Sequence, residues 1–186
     1  MGWWILIIVI VLVVIFLVVT YNRLVSLRQT VNQSWADISV QLKQRHDLIP
    51  NLVETVKGYA AHERGTLEAV TQARNAAVAA SNPQAQAQAE NVLSGALRQL
   101  FALSESYPDL KASQNFSQLQ AELTDVENKI AASRRFLNNA VQEYNASIQS
   151  FPAVLIAGSL GFTPQTFFAL DASEAAAVNT APQVKF

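Results

Sequence analysis

The chain has 186 residues, enough for one modest domain, with 51% hydrophobic side chains and a formal net charge of −1. Its pI near 6.1 and 15% charged residues exclude the basic face on which nucleic-acid binding depends. The absence of cysteine excludes a disulfide framework, thiolate catalysis and Cys-based metal sites.

The hydrophobic fraction hides two populations. Residues Trp3 to Val19 form an unbroken run of 17 apolar side chains. At 1.5 Å per residue the run rises about 26 Å, close to the roughly 30 Å of a bilayer core. A cleaved signal peptide needs a basic n-region and a small-residue cleavage site. Met1-Gly2 supplies no basic side chain, and Thr20-Tyr21-Asn22-Arg23 supplies no such site. The run therefore reads as a retained single-pass membrane helix, residues 1–21. Trp3, Trp4, Tyr21 and Arg23 are its expected interface anchors. Arg23 and Arg28 follow the run with no acid before Asp37, so the positive-inside rule places the C-terminal domain in the cytoplasm.

Beyond residue 20 the chain carries 28 alanines, and Asn plus Gln total 28 against 27 charged residues. Ala and Gln favour helix. From Leu24 the apolar positions alternate by three and four through Val31, Trp35, Ile38, Leu42, Arg45, Ile49, Leu52, Val56 and Tyr59 to Glu63, Val70 and Ala77. Such a heptad seam marks a long packed helix. Ser81-Asn82-Pro83 ends it, with Pro suited to the first turn of the next helix. A second seam runs Ala89, Leu93, Ala96, Leu100, Leu103, Tyr107, and a loop follows at 106–109. A third runs from Phe116 through Leu123, Val126, Ile130, Leu137, Ala140, Tyr144 and Ile148 to Phe151, where Pro152 closes it. No strand-like alternation appears.

The fold expected is all-α: a transmembrane helix followed by an antiparallel up-and-down bundle of three to four long helices at 22–152. The count turns on Asp47-Leu48-Ile49-Pro50. Proline inside a helix costs about 3 kcal/mol, and Asp47 could cap a new helix there, giving helices near 22–46, 48–80, 84–106 and 115–150. Yet the heptad phase passes through Pro50 without a slip, as one continuous first helix would require. The balance leans to four helices. Residues 153–186 change character. The apolar stretch up to Phe168 is too short to span a bilayer. It could cap the bundle end, lie on the membrane or meet a partner chain, with Phe162, Phe167 and Phe168 as contacts. Asp171–Phe186 reads as a short helix and a loose tail.

No reaction is encoded in a recognisable pattern. There is no HExxH, GxSxG, SxxK, P-loop or GxGxxG. His46 and His62 would point about 160° apart on one helix, so neither a metal nor a cofactor is expected. Charges on the apolar seams are more informative, because burying a charge is costly unless it is paired. Arg45 and Glu63 lie on the first seam; Glu127, Asn128 and Arg134 flank the third. With Glu122 they are the candidate members of a structural interhelical network that sets register, pairing Arg45 or Arg134 with Glu63, Glu122 or Glu127.

Several segments resemble the LemA family: MGWW before the anchor, YNRLVSLRQTVNQSW (Tyr21–Trp35), VQLKQRHDLIPNLVETVKGYAAHE (Val40–Glu63), TQARNA (Thr71–Ala76), YPDLKAS (Tyr107–Ser113), ENKIAASRRF (Glu127–Phe136), VQEYNASIQSFP (Val141–Pro152) and the ending PQVKF. Leu137 departs from the family, which often has Tyr there. The resemblance implies a membrane-anchored helical bundle with no catalytic residues to carry over. Relatives in that family are often encoded near membrane metalloproteases of the HtpX type, which implies an accessory role. The function expected is a non-enzymatic membrane scaffold that self-associates into a homo-oligomer and binds other proteins, with the lipid bilayer as its constant partner. An adaptor of a membrane protease is the alternative, and an enzyme the least favoured reading.

Overall fold

The structure is a computed structural model and describes residues 2–168. The expected helix and tail at Asp171–Phe186 lie outside the described residues. Among the described residues six helices follow in order: α1 Gly2–Lys57, α2 Arg64–Ala79, α3 Pro83–Ser104, α4 Pro108–Lys111, α5 Gln114–Gln149 and α6 Val154–Ala157. No strand occurs among the described residues, so the all-α expectation holds.

The expected break at Pro50 is corrected. Helix α1 runs 56 residues straight through it, about 84 Å. Pro50 lies on the exposed side of the helix. It has no N–H to bond the carbonyl of His46 one turn back, and that carbonyl instead accepts a hydrogen bond from Arg74 Nε at 3.2 Å. A tertiary donor thus replaces the missing helical one, and the cost of an interior proline falls. The chain reverses later, after Gly58. There Ala60 N donates to Val56 O at 2.8 Å, and Ala60 is buried in the turn. The next reversal matches the Ser-Asn-Pro signal: Asn82 accepts from Ala85 N at 2.8 Å as N-cap, with Pro83 opening α3.

Contacts divide the chain into two units, to both of which α1 and α5 contribute. The described part of one unit is residues 38–134 with 167–168. Its core joins Ile49, Leu52 and Val56 of α1, Val70 and Ala77 of α2, Leu93, Leu97 and Leu100 of α3, Leu110 of α4, and Phe116 and Leu123 of α5. Helices α2 and α3 pack together across their three-residue connection. The rings of Phe101 and Phe116 meet edge to face at 6.3 Å.

The described part of the other unit is residues 2–37 with 135–166. Its buried side chains are Leu24, Val31 and Ser34 from α1, Leu137, Ala140, Val141, Tyr144 and Ile148 from α5, then Ala153, Ala157 and Phe162. After α6 the chain turns at Gly161, whose φ of 76° suits glycine. Phe162 N bonds Ala157 O at 2.9 Å and Gly161 N bonds Gly158 O at 3.2 Å. This is the paired closure of a Schellman motif, and the apolar residues it joins, Ala157 and Phe162, are both buried. The strand-free segment beyond it is tied to α5. Tyr144 donates its hydroxyl to Thr163 O at 3.0 Å, and Asn145 both donates to and accepts from the Gln165 backbone.

Candidate functional site

The charged residues on the seams converge in the 38–134 unit. Arg45 is only 1% exposed. One guanidinium nitrogen, Nη1, donates to Glu90 Oε2 at 2.9 Å. The other, Nη2, donates to Ser94 Oγ at 2.8 Å and pairs with Glu127 Oε1 at 2.7 Å. A single side chain of α1 therefore grips α3 and α5 together.

Glu90 is fully buried, which a carboxylate tolerates only when paired and hydrogen-bonded. Its second oxygen, Oε1, lies 2.7 Å from His46 Nε2 and accepts from Gln86 Nε2 at 2.7 Å. A carboxylate only accepts, so His46 Nε2 is the donor in this pair. Gln86, Glu90 and Ser94 are spaced four apart and share one face of α3. Gln86 also donates to Ala77 O at 3.1 Å, tying α3 back to α2. Next to His46, a depression of about 350 Å³ is lined by Leu42, Lys43, Asp47, Arg74 and Gln86 among others. On its rim Lys43 donates to Asp47, and this bond holds the Asp47 carboxyl below its usual range.

Of the residues expected in the network, Arg45 and Glu127 meet directly. Glu63 is joined elsewhere: it accepts from the Tyr107 hydroxyl at 3.1 Å, and this bond pushes the Tyr107 hydroxyl's pKa up. Glu122 and Asn128 are exposed, and Glu122 accepts from Gln118 on its own helix. Glu122 is set about 100° and Asn128 about 160° off the buried line of α5, because Glu122 precedes Leu123 by one residue and Asn128 lies two beyond Val126. Arg134 is half-buried in α5. The residues not expected are Glu90, His46, Gln86, Ser94 and Arg74. Glu90 stands three residues before Leu93, in heptad phase with Leu97 and Leu100, so continuing that seam backward by three would have found it. His62 is exposed and remote from His46 in role as well as sequence.

The expected membrane residues Trp3, Trp4, Tyr21 and Arg23 are all exposed. They bracket the apolar run of α1, the one helix among the described residues that is long and apolar enough, by length and composition, to cross a membrane. Phe162 is buried in the unit formed by 1–37 and 135–166. Its ring meets Tyr21 edge-on at 5.7 Å and lies 4.9 Å beneath the Arg28 guanidinium. Phe168 is buried and Phe167 exposed.

Fold and cluster together define a class: a membrane-associated, all-α protein whose helices are joined through a buried arginine–carboxylate centre. The comparisons are more specific. Residues 34–186 match the LemA family, and the chain belongs to it. It is 27% identical over 163 residues to Protein LemA of Metamycoplasma hominis, covering 86% of this chain and 73% of that one. It is 22% identical over 178 residues to the magnetosome protein MamQ of Magnetospirillum gryphiswaldense, covering 82% of this chain. A MamQ of Paramagnetospirillum magneticum is 23% identical over 178 residues. The chain spans only 65% of the length of these MamQ relatives.

Proposed function

We propose that the protein is a non-enzymatic, membrane-anchored scaffold whose helical domain stands in the cytoplasm, self-associates and binds partner proteins. The observation that carries this reading is the saturation of Glu90. Both of its oxygens are engaged by donors of the chain itself, which suits a clamp that sets helix register rather than a group presented to a substrate. A buried polar group can specify one arrangement among several apolar alternatives. The exterior favours close association. Val40, Val78 and Val92 are exposed on three helices, among alanine and amide side chains that offer little charge repulsion.

Crosslinking of the full chain in native membranes, followed by mass measurement of the extracted particle, tests the reading. Dimers or larger assemblies with neighbouring proteins attached are expected. A strictly monomeric particle at high concentration overturns the self-association. A membrane protease as the dominant neighbour would favour the adaptor reading instead.

A further inference from the structure

We propose that residues 151–160 enter the bilayer beside the anchor, giving the protein a second, monotopic membrane contact. The proposal rests on reading the apolar run of α1 as membrane-spanning. Phe151 is 79% exposed and Leu155 71% exposed, and Val154 and Leu160 are exposed with them. Side chains of this size gain by leaving water. The segment lies in a stretch of 27 residues, 144–170, that contains no charged side chain.

Its neighbours say what covers it. One cleft is lined by Phe16, Val19 and Thr20 of α1 on one wall and Phe151, Pro152 and Ala153 on the other. A second is lined by Leu17, Val18 and Tyr21 facing Ile156, Ser159 and Leu160. Residues 2–21 extend about 30 Å, one hydrocarbon thickness. Phe16–Tyr21 therefore occupies the last 8 Å or so of the span. That is the depth, about 5–10 Å, at which monotopic segments sit. The segment beside those residues cannot be in water while they are in lipid.

Seven of the eleven N–H groups of 151–162 are bonded to nearby backbone carbonyls, which favours such a place because lipid offers no partner to an unpaired N–H. Val154, Leu155, Ile156 and Ala157 donate to carbonyls of 150–153, and Leu160, Gly161 and Phe162 donate to carbonyls of 156–158. Pro152 has no N–H to satisfy. The Ser159 hydroxyl donates to Ile156 O at 2.8 Å. Arg23, which lines the first cleft, stands at the level where lipid phosphates would meet it.

The chain has no cysteine, so single-site labels are unambiguous. Phe151→Cys and Leu155→Cys, each carrying an environment-sensitive fluorophore, are placed in vesicles of phosphatidylcholine and phosphatidylglycerol as full chains. Val18→Cys reports the span itself. Asn139→Cys, an exposed position ten residues before the end of α5, reports water. Blue-shifted emission at 151 and 155, with quenching by spin-labelled lipid approaching that at 18, is expected. Quenching by aqueous iodide equal to that at 139, with Val18 still lipid-quenched, overturns the proposal alone. Shielding of 151 and 155 from both quenchers indicates cover by protein, such as a second copy, and also overturns it. If Val18 itself escapes lipid quenching, the reading of α1 as a span fails and the proposal falls with it.

Discussion

Arg28 and Arg45 stand on the same helix, and the two units treat them in opposite ways. Arg45 is withdrawn from water and held by Glu90, Ser94 and Glu127. Arg28 stays half-buried and lies over the Phe162 ring. One arginine has its charge compensated and both terminal nitrogens engaged, with only Nε left unbonded; the other has a ring beneath it while its head remains partly wet. The unit of 38–134 thus carries a polar centre whose loss should be costly. The unit formed by 1–37 and 135–166 is held more by shape, through Phe162 and the Gly161 turn that delivers it.

The sharpest break of this contrast is Arg45→Met. It leaves Glu90 buried without its main counter-charge and should cost about 4 kcal/mol. Hydrogen exchange followed by mass spectrometry should register this loss in peptides of 38–134. The double variant Arg45→Met, Glu90→Leu should recover most of it, since an apolar pair of similar volume replaces the ion pair. If the double variant is no better than the single one, the cluster supplies more than charge compensation. Phe162→Ala should cost about 3 kcal/mol through the cavity it leaves, with the loss of exchange protection read in peptides of 135–166.

Arg74→Ala removes the donor that fills the carbonyl freed by Pro50 and should cost about 1 kcal/mol. Restoring the helical donor with Pro50→Ala should shrink that cost, and a double-mutant cycle in urea denaturation measures the coupling. Additive effects would separate the proline from the arginine. Arg28→Met should lose only about 0.5–1 kcal/mol, detected as a small shift in the urea midpoint, far below Arg45→Met. Smallest of all is Asp47→Asn. The Lys43 bond holds the Asp47 carboxyl low, so its contribution exists above the carboxyl's unfolded pKa and fades as pH falls. Both groups are exposed, so solvent screens the pair, and the variant's denaturation midpoint should fall only slightly below the parent's at pH 7 and coincide with it at pH 3.

Much of the architecture was legible because helices are local. A period near 3.5 and caps such as Asn82-Pro83 act over one or two turns, and the ends of α3 and α5 fell within two residues of their expected places. Pro50 shows where locality stops. Its effect on α1 is decided by Arg74, 24 positions later, whose reach to the His46 carbonyl no local pattern encodes. The same holds for Glu90. Its place on a seam was readable, but its partners Arg45 and His46 lie 45 and 44 positions away.

By itself, then, the sequence determined the apolar N-terminal run, the helical class and the presence of charges on apolar seams, because hydrophobic periodicity and charge are properties of neighbouring residues. Only the tertiary structure decided that α1 passes through Pro50, that Arg45 closes on Glu90 and Glu127, and that an uncharged segment returns alongside the end of the apolar run. Each of these depends on which surfaces meet when the chain folds back. Desolvation and hydrogen-bond geometry, rather than local propensity, then select the partners.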